Sequence, residues 1–273
     1  SAQAGVAVQA LVNGNLMGGT TSGANGFYYM LLGNDSIASN GAVLSYVSGS
    51  GSAAKQATAT NQSLTGFDIT ANRVTASSDG ALDITGLLST AKGGNSDDAR
   101  YTVSGSDVAV GVDLSVAAAG NVTQSGALAV SGTTTVTAGA NNITLDKAAN
   151  NFTGAVSLTG NNVTLTAANA LTLGAISAPG SLTLTAGGII NALNSTVSTA
   201  LFDLKGGTWS QVKGPLPSFS ATDFRISGGT FIRALGGDGS GSPYQISDIY
   251  GLQGAGSTGM LGKAYTLAND IDA

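Results

Sequence analysis

Apolar residues alternate with Ser and Thr along most of this chain. An apolar–Thr/Ser–apolar triplet recurs at 143–145, 156–158, 163–165 and 171–173, and between the triplets lie mainly Asn, Gly and Ala. Alternation at period two between closely spaced turn residues predicts short β-strands. We therefore predict an all-β protein in which the flanking members of each triplet point inward and the central Thr or Ser points outward.

The triplets also repeat at a regular spacing. Asn-Asn-Ile-Thr-Leu at 141–145 returns as Asn-Asn-Val-Thr-Leu at 161–165, an offset of 20 residues. Val-Thr-Leu-Thr-Ala at 163–167 returns as Leu-Thr-Leu-Thr-Ala at 182–186, an offset of 19. A period near 20 with two or three short strands is the signature of a β-solenoid, whose coils bury their inward residues against their neighbours. The spacing predicts a parallel β-helix of about 20 residues per coil.

The pattern changes along the chain and divides it into three segments. In residues 1–104, Asn-Gly pairs at 13–14 and 25–26 lie between apolar runs and predict antiparallel hairpins. We interpret this segment as an irregular β-rich region, with a small antiparallel meander followed by a transition. Residues 105–200 are predicted to form the regular β-helix repeats. Residues 201–273 continue the helix with longer loops.

Two segments, 81–94 and 191–204, are candidates for one or two helical turns. The first contains Leu87 and Leu88 and ends on Lys92-Gly93, a typical helix C-terminus. β-Branched residues and Ser weaken both candidates.

Composition narrows the function classes. Charged residues are only 9% of the 273-residue chain and hydrophobic residues 42%, so the chain can form a core and lacks the high charge of disordered segments. It contains no Cys and no His, which excludes disulfides, zinc–thiolate sites and a Ser-His-Asp triad. The net charge of −5, with ten scattered basic residues, argues against a nucleic-acid partner. We predict no cofactor.

The best candidate for a ligand site is an aromatic and loop-rich cluster in the last segment. Sugars stack their apolar faces on aromatic rings while Asp and Arg hold hydroxyl groups. The alternative is that the same rings form a hydrophobic cap that seals the solenoid. The predicted ligand-binding residues are Trp209, Phe231, Arg233, Asp238, Tyr244 and Tyr250.

Catalytic and metal chemistry finds little support in the remaining residues. Asp270 and Asp272 would share one face of a strand, as a carboxylate pair in a polysaccharide-cleaving enzyme would, but we interpret them as the fringe of a turn. The glycine-rich stretch at 236–242 is similar to a calcium-binding turn in a single copy, whereas calcium repeats need several. We therefore predict no catalytic residue, no metal ligand and no enzymatic activity.

The C-terminal residues 224–273 resemble the segment that precedes GLUG-type repeats in filamentous-haemagglutinin-like two-partner-secretion exoproteins. The matching elements are GGTFIRALGGDGS, PYQISDIYGLQG and YTLANDIDA. The upstream Asn- and Thr-rich stretches also resemble the repeats of those proteins. The family's secretion domain, with its Asn-Pro-Asn motifs, is not in this sequence. The resemblance therefore implies an internal or distal portion.

The resemblance implies a right-handed parallel β-helix, exported through an outer-membrane secretion pore to the cell surface of a Gram-negative bacterium. We expect a secreted, extracellular adhesin: a rigid β-helical rod that attaches cells or biofilm matrix through multivalent contacts with polysaccharide or a cell-surface receptor. Two alternatives stay open. One is a subunit that assembles end to end into a filament through its solenoid ends, and the other is a β-helix polysaccharide lyase or hydrolase.

Overall fold

The computed structural model describes residues 3–33 and 35–271 and confirms the predicted fold class. Strand makes up 47% of the structure and helix 6%, and the strands wind into a β-solenoid of about ten turns spaced about 21 residues apart. Contacts group the chain into two compact units, Ser1–Asn141 and Asn142–Ala273. The segment boundaries predicted at residues 104 and 200 stay a prediction. Among the described helices, none is long and apolar enough to span a membrane.

The first unit contains twelve described strands and one helix. In chain order they are β1 (Ala7–Val12), β2 (Asn15–Thr21), β3 (Ala42–Val47), β4 (Gly51–Gln56), β5 (Arg73–Ser78), β6 (Leu82–Asp83), α1 (Ile84–Lys92), β7 (Tyr101–Ser104), β8 (Asp107–Val110), β9 (Asp113–Ala118), β10 (Val122–Thr123), β11 (Leu128–Val130) and β12 (Thr134–Thr137).

The predicted antiparallel meander is present at the start of this unit. Strand β1 pairs antiparallel with β2 and β3, and β3 pairs antiparallel with β4. The turn between β1 and β2 has φ of 48° at Asn13 and 78° at Gly14, the positive values that a two-residue type I′ hairpin needs. From β4 onward the pairing of the wall becomes parallel, through β5, β9 and β12.

Helix α1 confirms the first of the two helical candidates. The Oδ1 atom of Asp83 accepts a hydrogen bond of 3.0 Å from the N–H of Gly86, which caps the helix N-terminus. Gly93, with φ of 53°, follows the last turn. The helix and the antiparallel pair β7–β8 are inserted into one coil. Neighbouring strands β5 and β9 therefore differ by 40 residues in the register Arg73↔Asp113, twice the regular offset.

The C-terminus of α1 is held by a buried lysine. The Nζ atom of Lys92 donates hydrogen bonds to the carbonyl oxygens of Asp98 and Tyr101 and lies 4.6 Å from the ring centroid of Tyr101. The Tyr101 hydroxyl donates to the carbonyl oxygen of Leu88 at 3.1 Å. Desolvation lowers the pKa of Lys92, with the carboxylate of Asp98 opposing this effect. Desolvation also raises the pKa of Tyr101 far above its ordinary value of 10.0, and Asp98 adds to that rise.

These two shifts predict how stability depends on alkaline pH. Above pH 10 the unfolded chain loses the Tyr101 proton while the folded chain keeps it, so the free energy of unfolding should fall by up to about 1.4 kcal/mol per pH unit. Lys92 acts oppositely, and only below pH 10.5, because its folded pKa lies under its unfolded value. Urea unfolding between pH 10 and 12 should show a shallower loss for Tyr101→Phe. Equal slopes for both proteins would contradict this assignment.

The second unit contains eleven described strands and one helix. They are β13 (Ile143–Leu145), β14 (Asn151–Phe152), β15 (Ala155–Thr159), β16 (Asn162–Ala167), β17 (Leu171–Ser177), β18 (Ser181–Asn191), β19 (Val197–Val212), β20 (Phe219–Ile226), β21 (Thr230–Ala234), β22 (Tyr244–Ile246), α2 (Ile249–Gly254) and β23 (Tyr265–Leu267).

The offsets seen in the sequence are the strand register of this unit. Strand β13 pairs parallel with β16 as Ile143↔Val163, an offset of 20, and β16 pairs with β18 as Val163↔Leu182, an offset of 19. The flanking residues of the four triplets are buried and the central Thr or Ser residues are partly exposed, as predicted. Each inward aliphatic residue therefore packs on its counterpart in the next coil.

The second helical candidate, 191–204, is wrong. It contains the end of β18, a short turn and the start of β19, which continues to Val212. Strand β19 pairs parallel with both β18 and β20, so its backbone groups are satisfied by two neighbours. This pairing, together with the β-branched residues Val197 and Thr199, outweighs the weak helical preference of the segment.

Polar turns repeat from coil to coil on the outside. Asn162 donates from its side-chain Nδ2 to the Oδ1 of Asn142 at 2.9 Å, and the hydroxyl of Ser181 donates to the Oδ1 of Asn162 at 3.0 Å. Stacked glycines form another corner: Gly207 and Gly229 both have positive φ, and a Cβ atom at Gly229 would lie 2.3 Å from the Gly207 carbonyl oxygen. Only glycine permits this close approach.

Candidate functional site

The aromatic residues of the last segment stack between coils inside the solenoid. Trp209 and Phe231 are partners in the β19–β21 register, with ring centroids 5.7 Å apart and planes 6° from parallel. Phe202 and Phe224 are partners in the β19–β20 register, at 5.4 Å and 10°. The two stacks meet edge to face, with 5.3 Å between the centroids of Phe202 and Trp209. These offset and edge-on contacts are the arrangements that aromatic rings prefer.

Trp209 and Phe231, both predicted to bind ligand, are fully buried. Their rings pack against other protein rings rather than facing solvent, which agrees with the alternative interpretation of the cluster as an internal seal. No observation tests ligand binding by the predicted set as a whole, and that role stays a prediction.

Arg233 lies at the centre of a buried hydrogen-bond network. Its Nε donates to the Oδ2 of Asp248 at 2.6 Å, its Nη1 donates to the Oε1 of Gln211 at 2.6 Å, and its Nη2 donates to the carbonyl oxygen of Pro217 at 2.9 Å. Its guanidinium carbon lies 5.4 Å from the ring centroid of Phe219. Every polar direction of the guanidinium is therefore used inside the protein.

The partners of Arg233 connect it to the neighbouring elements. The Nε2 of Gln211 donates to the carbonyl oxygens of Ala192 and Ser195, at 2.8 and 2.9 Å. The other oxygen of Asp248, Oδ1, accepts from the N–H of Gly251 at 2.9 Å and caps α2. The network thus joins β19, β21 and α2, which indicates a structural role for Arg233.

The three remaining predicted site residues lie apart from this network or support it. Asp238 is an exposed loop residue whose Oδ1 accepts from the N–H groups of Ser242 and Ser240, at 3.0 and 2.8 Å, and these bonds lower its pKa. Tyr244 is buried in a small core with Ile246 and Met260.

Tyr250 is half-buried and fixed by both its hydroxyl and its ring. The hydroxyl accepts from the N–H of Ala221 at 2.9 Å and donates to the carbonyl oxygen of Ala221 at 3.2 Å. Its ring centroid lies 4.7 Å from that of Phe219. The structure therefore brings Trp209, Phe231, Arg233 and Tyr250 together as one packed assembly, whereas Asp238 faces solvent in its own loop.

An open groove of about 520 Å³ in the first unit was not predicted from the sequence. It lies where the ends of β4 and β5 approach β6 and β10. Its lining is mostly uncharged and polar, with one carboxylate: Asn40, Gln56, Thr58, Ser78, Gly80, Ala81, Leu82, Asp83, Asn121 and Thr123.

The groove offers hydrogen-bonding groups in a fixed frame. Asp83 is held by the N–H of Gly86 and the N–H of Ser125, both at 3.0 Å from its Oδ1. The side-chain amides of Asn40 and Gln56 make no hydrogen bond to another residue of the described ranges. No local motif marks these positions, because they come together only when coils 17 to 40 residues apart are stacked. Such a lining suits a neutral ligand with many hydroxyl groups.

The comparisons with known proteins support a repeat protein. Residues 95–159 and 160–208 each match a family model described as repeats of unknown function (DUF5649). No curated protein and no solved structure matches the chain. Together with the stacked register of the coils, the family match indicates a repeat β-helix protein of structural type.

Proposed function

We propose that this chain is an extracellular adhesive protein of a Gram-negative bacterium that attaches to polysaccharide and has no catalytic activity of its own. The observation that carries the proposal is the in-register stacking of coils, which buries aliphatic residues and leaves neutral Thr, Ser and Asn side chains outside. Such a design extends a surface by repetition.

The resemblance to filamentous-haemagglutinin-like exoproteins supports the extracellular location. On this proposal the parent protein is exported through an outer-membrane pore and the chain reaches the cell surface. Adhesion then depends on many weak contacts made at once by copies on the same surface, since avidity multiplies individual affinities.

The proposed contact for polysaccharide is the groove of the first unit. Its amide and hydroxyl groups match the donors and acceptors of a neutral sugar chain. The aromatic residues of the second unit instead support the fold around β19 to β21, because their rings are packed against one another.

Size-exclusion chromatography with light scattering tests this proposal on mixtures of the chain with neutral matrix polysaccharides. We expect intact polymer to elute together with the protein. The double variant Asn40→Ala/Gln56→Ala should bind about ten-fold more weakly, because it loses two hydrogen-bonding groups worth about 1 kcal/mol each at most. The control Gln253→Ala changes an exposed amide of the second unit and should bind like the parent chain.

Each other outcome has a definite meaning. Shortened polymer would replace the adhesin proposal with a β-helix lyase or hydrolase. If the polymer elutes alone and the protein itself forms long assemblies, the end-to-end filament subunit is favoured. Unchanged binding by the double variant would move the contact away from the groove.

A further inference from the structure

An uncharged segment of the first unit exposes large apolar side chains in alternation. Phe27, Tyr29 and Leu31 are 76%, 80% and 89% exposed, while the intervening Tyr28 and Met30 are partly buried. Exposure that alternates at period two is the signature of extended backbone. Three large apolar residues therefore point to solvent from one side of residues 27–31.

The same segment is fixed to the unit on its other side. The Tyr28 hydroxyl donates to the carbonyl oxygen of Phe67 at 2.7 Å, and the N–H of Gly23 donates to the carbonyl oxygen of Phe27 at 2.8 Å. Burial raises the pKa of Tyr28, with the side chain of Ser45 as its hydrogen-bonding neighbour. The apolar side is thus presented on an anchored segment.

The backbone of residues 28–32 lacks strand partners. Within the part of the chain that the structure describes, none of their N–H or C=O groups hydrogen-bonds to another residue. An extended segment with unpaired backbone groups is a template for pairing with another strand.

Charge favours a copy of the same chain as that strand. The chain has a net charge of −5, so most of its surfaces repel a second copy. Residues 1–34 contain no charged side chain at all, and the first charge after them is Asp35. A two-fold contact places each patch against itself, which requires a patch without net charge.

We propose that two copies of this chain pair through residues 27–31 as antiparallel strands, with the two-fold axis at Tyr29. In that register Phe27 of each copy lies opposite Leu31 of the other, so all three exposed side chains meet apolar partners. The proposal goes beyond attachment to polysaccharide, because it joins copies side by side through the first unit and does not use the groove.

Cysteine crosslinking tests both the contact and its register, and the absence of native cysteine makes the test clean. Directly opposed residues of antiparallel strands have Cα atoms about 4.5 to 5.5 Å apart, within the range of a disulfide. Oxidised Tyr29→Cys should therefore form a covalent dimer in high yield. A mixture of Phe27→Cys and Leu31→Cys proteins should crosslink to each other better than either does alone.

Leu261 supplies the matched control, because it is 84% exposed and lies in the other unit. Leu261→Cys should give only the slow crosslinking of random collision. In sedimentation, Tyr29→Lys should weaken dimerisation at least about 30-fold by opposing two like charges at the axis, whereas Leu261→Lys should not. Circular dichroism on both lysine variants checks that the fold is retained.

A parent chain that stays monomeric at high concentration would overturn the proposal. So would a dimer that Tyr29→Lys leaves intact, or a Tyr29→Cys protein that crosslinks no faster than the Leu261→Cys control. If added neutral polysaccharide or detergent protects Tyr29→Cys from a thiol reagent while the chain remains monomeric, the apolar side is a ligand surface instead and the dimer is excluded.

Discussion

Phe231→Ala should lower the free energy of unfolding by about 3 to 5 kcal/mol, the usual cost of removing a buried phenyl ring. Phe231 is fully buried and its ring is within 6 Å of the rings of Trp209, Phe202, Phe219 and Phe224. Its loss leaves a cavity between two coils that their paired backbones cannot close. Urea denaturation followed by fluorescence measures the effect directly, because Trp209 is the only tryptophan and stacks on Phe231.

Phe231→Leu serves as the graded control. Leucine keeps most of the apolar volume and loses the ring contacts, which are worth about 0.5 to 1.5 kcal/mol each in favourable pairs. We expect a smaller loss of stability than in the alanine variant, with the Trp209 emission still that of a buried indole. A loss below about 1 kcal/mol for Phe231→Ala would contradict the internal position of the ring, since surface changes have effects of that size.

The coil register could be predicted from the sequence because each coil repeats the same inward residues. Ile143, Val163 and Leu182 occupy one inward column, so the similarity between coils at offsets of 20 and 19 is the strand pairing itself. The same reasoning located α1, whose capping residue Asp83 and terminal Gly93 are local signals.

Features that depend on stacking of different coils could not be predicted in this way. Trp209 and Phe231 are 22 residues apart, and only the register of β19 with β21 places one ring on the other. Without it, an aromatic residue in a loop-rich segment is equally consistent with a sugar-binding surface and with a core. The groove beside Asn40 and Gln56 has the same origin, because its lining comes from separate strands and turns.

The buried arginine illustrates the limit most clearly. In the sequence, Arg233 stands beside apolar residues with no acidic residue at a helical or strand spacing that would mark a partner. Its partner Asp248 lies 15 residues later, at the N-terminus of α2. A charge predicted to contact ligand instead joins a helix to the solenoid wall.

Arg233→Met should lower the free energy of unfolding by about 3 to 5 kcal/mol, because breaking a buried charged pair leaves its partners uncompensated. Methionine fills much of the same volume but donates no hydrogen bond. The Oδ2 of Asp248 then loses its charged partner, and the buried Oε1 of Gln211 keeps only the 3.3 Å bond from the Nε1 of Trp209. Urea denaturation monitored at Trp209 reports this loss from within the network.

Arg225→Met is the matched control for the same chemical change. The Arg225 side chain is 58% exposed and pairs with Asp223 at the surface, so its removal should leave the unfolding midpoint within measurement error. In the network, Asp248→Asn keeps an acceptor for the N–H of Gly251, and combined with Arg233→Met it should cost less than the two single changes added together. Simple additivity would mean that Arg233 and Asp248 act independently, and an equal effect of Arg225→Met would mean that burial of the guanidinium does not determine the cost.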